Sequence, residues 1–119
     1  MRRRPASHDR TPRFAKGEVV VLPFPFSDLS AAKRRPALVV APLDGVDVIL
    51  CMITSQAQRD GYAVPLNAAD FARGGLPKPS YIRPNRLFTA DAGLILRAAG
   101  LLTPTKLAEV VEILLAILR

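Results

Sequence analysis

A chain of 119 residues, half of them hydrophobic, has the apolar material for one core and too little length for a second. Lysine and arginine outnumber aspartate and glutamate 17 to 10, and the net charge of +7 favours polyanions or acidic protein surfaces as partners. One cysteine, Cys51, and one histidine, His8, exclude an intramolecular disulfide and a cysteine-built metal site, and they leave a histidine-based triad little to work with.

Residues 1–15 contain five arginines and two prolines and bury almost nothing, so they are expected to form a mobile basic arm ahead of one domain spanning residues 16–119. The arm lacks the apolar stretch of a secretory signal. The longest apolar run near the C-terminus is interrupted by Glu112 and falls short of the roughly 20 residues a membrane span needs. A soluble, cytoplasmic protein is expected.

The β-branched run Glu18 to Leu22 predicts a buried strand that ends at the prolines of Pro23-Phe24-Pro25-Phe26. Ser27 to Arg35 is polar and reads as a long loop, of the kind that carries function in small domains. Ala37 to Ala41 predicts a second strand, and after the Asp44-Gly45 turn Val46 to Ile53 predicts a third and most apolar one. Tyr62 to Leu66 reads as an edge strand because Pro65 cannot donate to a ladder. Residues 67–79 look irregular, and Ser80–Arg83 and Arg86–Thr89 read as two short strands. Leu94 to Leu102 fits strand and helix equally. Thr103 as N-cap, Pro104 in the first turn and apolar spacing through Leu107, Val110, Val111, Leu114 and Leu118 predict a terminal amphipathic helix. The whole reads as mainly β, a small curled sheet or barrel with one helix packed on it.

Three stretches carry chemistry. Lys33-Arg34-Arg35-Pro36 reads either as a solvated charge run guarding a strand edge or as a phosphate site built on an arginine fork. Ile53-Thr54-Ser55-Gln56 reads either as the start of a turn or as hydroxyls projecting from a rigid strand end toward a ligand. Arg83 and Arg86, flanking Asn85, form a second basic spot that with Arg59, Arg73 and Lys78 could line a groove for single-stranded nucleic acid. Phe26 and Tyr62 read equally as core or as faces for stacking, whereas Cys51 sits mid-strand as packing and His8 in the arm as a bystander.

Taken in order, Lys-Gly-Glu-Val-Val-Val-Leu-Pro-Phe-Pro-Phe from Lys16, Lys33-Arg34-Arg35-Pro36-Ala37-Leu38-Val39-Val40 and Ile53-Thr54-Ser55-Gln56 resemble the MazF/PemK family of bacterial toxins from about Lys16 to Leu118. The resemblance implies an SH3-like small β-barrel, a homodimer, cleavage of single-stranded RNA without metal or cofactor, and a cognate antitoxin that covers the RNA site. It implies cleavage roles for Arg35 and Thr54, and RNA contacts for Ser55, Gln56 and Arg83, to which charge adds Lys33, Arg34, Arg59 and Arg86. The segment from Pro25 to Arg34 would be the mobile loop that closes over substrate. Some members carry a carboxylate where this chain has Asn85, which cannot act as a base, so Asp28 is the nearest carboxylate candidate. Two other functions remain open on sequence: a gyrase-inhibiting toxin on the same barrel, and a nucleic-acid-binding module without catalysis.

Overall fold

The computed structural model describes residues 13–24, 33–57 and 59–119. Seven strands follow in chain order: β1 (Glu18–Phe24), β2 (Lys33–Pro42), β3 (Asp47–Thr54), β4 (Val64–Leu66), β5 (Phe71–Gly74), β6 (Ser80–Asp91) and β7 (Arg97–Leu102). The helix α1 (Pro104–Leu118) closes the chain, and short 3-10 turns occupy Ala68–Asp70 and Ala92–Leu94. The strands form one antiparallel sheet in the order β4-β6-β3-β2-β1-β7-β5, curled into a half-barrel. This is the mainly β architecture with one C-terminal helix expected from the sequence.

The apolar runs of β1, β2 and β3 are continuous because both faces of the sheet are covered. Val19, Leu38, Cys51 and Ile53 point into one core with Ile82, Leu102, Val110 and Leu114. Their chain neighbours Val20, Val39 and Leu50 point into a second core with Leu22, Phe24, Ala92 and Ile95, against which Phe14 and Phe88 pack. Thr103 caps α1 by accepting from the Lys106 N–H at 3.2 Å. Leu107, Val110 and Leu114 face the sheet as expected, but Leu118 is exposed, since the last turn runs past the core, and Ile113 packs there instead.

Four expectations change. The ladder of β2 with β1 reaches Phe24↔Lys33, so Lys33, Arg34 and Arg35 belong to a strand and not to the preceding loop. Pro23 is tolerated inside β1 because β7 leaves that strand at Val21, so Pro23 has a strand neighbour on one side only. Residues 67–79 contain β5, whose backbone lies so close to β7 that a Cβ at Gly74 would strike the Ala99 carbonyl oxygen; composition does not show a pairing that depends on glycine facing glycine, here Gly74↔Gly100. The two strands read at 80–83 and 86–89 are one. Cys51 pairs with Leu87 and Met52 with Arg83, so Pro84, Asn85 and Arg86 bulge out of the ladder where proline has no donor to lose. The ambiguous segment resolves into a 3-10 turn followed by β7.

Candidate active site

A cleft of about 610 Å³ opens at the end of the sheet where neighbouring strands part. The β2–β3 ladder stops at Ala37↔Met52, whereas β2 stays on β1 and β3 stays on β6 as far as Thr54↔Tyr81. Two residues beyond the last β2–β3 pair, Arg35 and Thr54 line the two banks of this gap, both half-buried. Arg34 and Ser55, both exposed, join them. Val21, Pro36 and Ile53 supply apolar wall from the central strands, and the connection from β5 to β6 adds Leu76, Pro77 and Lys78. Leu96 and Arg97 complete the lining from the start of β7.

The electrostatics are one-sided. Among the described residues the cleft carries Arg34, Arg35, Lys78 and Arg97 and not one carboxylate. None of the four forms an ion pair with another described residue. The Thr54 hydroxyl accepts the Gln56 backbone N–H at 3.1 Å, which fixes the oxygen and leaves its own proton to donate to a ligand. The Ser80 hydroxyl donates to the Lys78 carbonyl at 3.0 Å and holds the chain at the cleft wall.

The second basic spot is built differently. Arg83 donates from Nη2 to Asp60 Oδ2 at 3.0 Å, and the same oxygen accepts the Asn85 side-chain amide at 3.2 Å. Asp60 Oδ1 accepts the backbone N–H groups of Tyr62 and Ala63 at 3.0 and 3.3 Å. The Tyr62 N–H foremost, with the Arg83 guanidinium next, lowers the Asp60 carboxyl from 3.8 to about 2. Arg83, Arg59 and Arg86 lie outside the cleft lining, as do Lys33 and Gln56, which are exposed beside it in sequence. Asp28 and Phe26 fall outside the described residues. Arg97 escaped sequence reasoning because its segment fitted two structures and only the register opposite Val21 brings it to the cleft. Lys78 was legible as a cation but grouped with the wrong neighbours.

Other chemistry finds no foothold here. Burial pushes the Cys51 thiol up to about 12, so this cysteine is packing and not a nucleophile. Among the described residues no group of three or more His, Cys, Asp or Glu side chains is arranged to hold a metal. No described helix is long and apolar enough to cross a membrane.

Solved structures share this architecture. An endoribonuclease in complex with its cognate antitoxin, from a mycobacterial species, superposes with a TM-score of 0.69 at 17% identity over 87% of this chain and 92% of that one. MazF from Deinococcus radiodurans gives 0.68 at 24% identity over 92% and 97% of the two chains. A MazE-MazF complex from the same organism gives 0.66 at 25% over 86% and 92%. No curated protein sequence is similar enough to count as a match. Residues 15–118 match the family described as PemK-like, MazF-like toxin of type II toxin-antitoxin system, which takes in every strand, the helix and all thirteen residues around the cleft. With the motifs, the half-barrel and the family match covering the same span, this chain belongs to the PemK/MazF-like toxins of type II toxin-antitoxin systems.

Proposed function

We propose that the protein is an endoribonuclease that cuts single-stranded RNA in the cytoplasm by attack of a ribose 2′-OH on the adjacent phosphorus, leaving a 2′,3′-cyclic phosphate and a 5′-OH. One observation carries the reading: Arg35 and Thr54 line the same cleft. The nucleophile comes from the substrate, so the protein has to stabilise the charge that builds on the non-bridging oxygens and help move two protons. Arg35 serves the first need. A guanidinium stays protonated at any working pH and can face two oxygens of the pentacoordinate phosphorus at once. Thr54 adds a donor whose oxygen is already held by the Gln56 N–H, so it needs no reorientation in the transition state.

Proton transfer is the weaker half of this mechanism. The described lining has no carboxylate and no histidine, which leaves water or Asp28 to act as base, and general acid–base help is commonly worth about 10²–10⁴-fold. A slow nuclease follows. Because a guanidinium neutralises the phosphate, the step needs no metal. Arg34, Ser55 and the flanking Lys33, Gln56, Arg59, Arg83 and Arg86 extend a positive surface along which an RNA strand can run. The cations of the cleft, which form no ion pair among the described residues, suit an acidic antitoxin segment laid over it, and relatives of similar fold are solved with their antitoxins. The exposed Leu115, Ile117 and Leu118 at the end of α1 give a homodimer apolar surface to bury.

Incubation of the purified protein with single-stranded RNA in excess EDTA, followed by end-group analysis, tests the reading. Cyclic phosphate and 5′-OH ends are expected. Intact RNA together with inhibited DNA supercoiling would replace the nuclease with a gyrase-directed toxin, and intact but salt-sensitively bound RNA would replace it with a binding module.

A further inference from the structure

The Arg35–Thr54 pair holds the two banks of the gap between β2 and β3 and leaves the rest of the cleft lining idle. Beyond the pair, Lys78, Leu96 and Arg97 also line the cleft. Arg97 stands opposite Val21, and Val21 opposite Pro36, so Arg97 lies two strands away from the Arg35–Pro36 stretch, about 10 Å at ordinary strand spacing. Arg35 and Arg97 therefore stand apart in the cleft instead of converging on one point, and a phosphate gripped at Arg35 leaves Arg97 without a counter-charge among the described residues. Leu96 adds a second anomaly. It is 51% exposed inside a cationic cleft, where a large apolar side chain gains nothing from water, and Leu76 and Pro77 continue the apolar wall. Apolar wall beside cations that have no ion-pair partner among the described residues matches what a nucleotide presents, a flat base face and a phosphate.

We propose that Lys78, Leu96 and Arg97 form a subsite for the nucleotide next to the scissile linkage, with its base against Leu96 and the Leu76-Pro77 wall and its phosphate between Lys78 and Arg97. The subsite rests on the ribonuclease reading above and deepens it. It selects unpaired RNA, since in a duplex both faces of a base are covered by its stacked neighbours. It also makes the three residues determinants of substrate length, because a substrate ending at the scissile linkage cannot reach them.

The test uses the full chain and a synthetic heptanucleotide spanning a cut mapped on a long RNA, made uncleavable by a 2′-deoxy ribose at the cut. Lys78→Ala and Arg97→Ala are each expected to raise its Kd roughly three- to tenfold. Each should also flatten the dependence of log Kd on log salt by about 0.7, the value of one phosphate contact on a single strand. Leu96→Ala should weaken binding without altering that slope. In turnover the two alanine variants should raise KM on the cleavable heptamer and lose less than about twofold on the dinucleotide that holds only the scissile phosphate. Lys78→Arg and Arg97→Lys should restore the salt slope. Wild-type slopes in both alanine variants, or equal losses on heptamer and dinucleotide, would overturn the subsite. Wild-type protein that leaves RNA uncut overturns the nuclease reading itself, a separate result.

Discussion

Arg35 and Arg83 are the same residue type, each on a strand and each half-buried, yet their surroundings give them opposite chemistry. Arg35 faces a cleft whose described lining contains cations, hydroxyls and apolar carbon but no carboxylate. Arg83 is held by Asp60, which also gathers Asn85 and two backbone N–H groups. A cation with no ion-pair partner among the described residues, inside a concave, partly apolar site, keeps its attraction for an incoming phosphate, whereas one already neutralised at 3.0 Å has less to offer. Basic residues thus divide here into those that line the cleft and those that hold the loop after β3 against the bulge of β6.

The largest effect that would break this division lies at Arg35. Replacement by alanine is expected to reduce cleavage on the order of 10³-fold or more while leaving the melting temperature near wild type, because the charge-stabilising donor is lost and no core contact goes with it. Wild-type turnover in purified Arg35→Ala would remove the cleft from the mechanism. Thr54→Val keeps the volume and removes the donor, and about a 10²-fold loss of kcat is expected; unchanged turnover would leave Thr54 with the structural task of capping Gln56.

A direct comparison of the two basic regions comes next in size. Arg34→Ala should flatten the salt dependence of RNA binding by about 0.7, and Arg83→Ala by clearly less, since part of its charge is already met by Asp60. Equal slopes in the two variants would show that the ion pair opens for RNA and would erase the distinction.

The smallest effect concerns acid stability. Asp60 sits at about 2 in the folded chain against an ordinary 3.8, so its ionised form is favoured by folding. The stability this supplies is present above about pH 4 and is lost as the pH falls through about 2. In thermal melts between pH 5 and pH 2 the wild type should therefore lose its lead over Asp60→Asn as acid is added. A constant gap across that range would mean that the Asp60 contacts hold through hydrogen bonding alone.

Local physics made several features readable in advance. The third strand, the edge position of β4 and the helix start at Thr103-Pro104 depend on burial pattern, a missing proline donor and a side-chain cap, and each of these acts within a few residues. The Arg35 and Thr54 motifs were legible for a different reason, through likeness to a family. The bulge at Pro84–Arg86 was not legible, because proline in a strand reads as an ending unless a partner strand is known to continue past it.

Composition and order of residues by themselves determined the basic charge, the strand-rich core and the closing helix, since hydrophobic periodicity and capping are short-range properties of the chain. Tertiary structure alone decided which cations share the cleft. Lys78 and Arg97 are separated from Arg35 by more than forty residues, and Arg97 reaches the cleft only because β7 pairs with β1 in a register set by Val21↔Arg97, while Arg83, which looked the equal of either, meets a carboxylate 23 residues away. Pairing between strands distant in sequence is fixed by how whole faces pack, and no local rule carries that information.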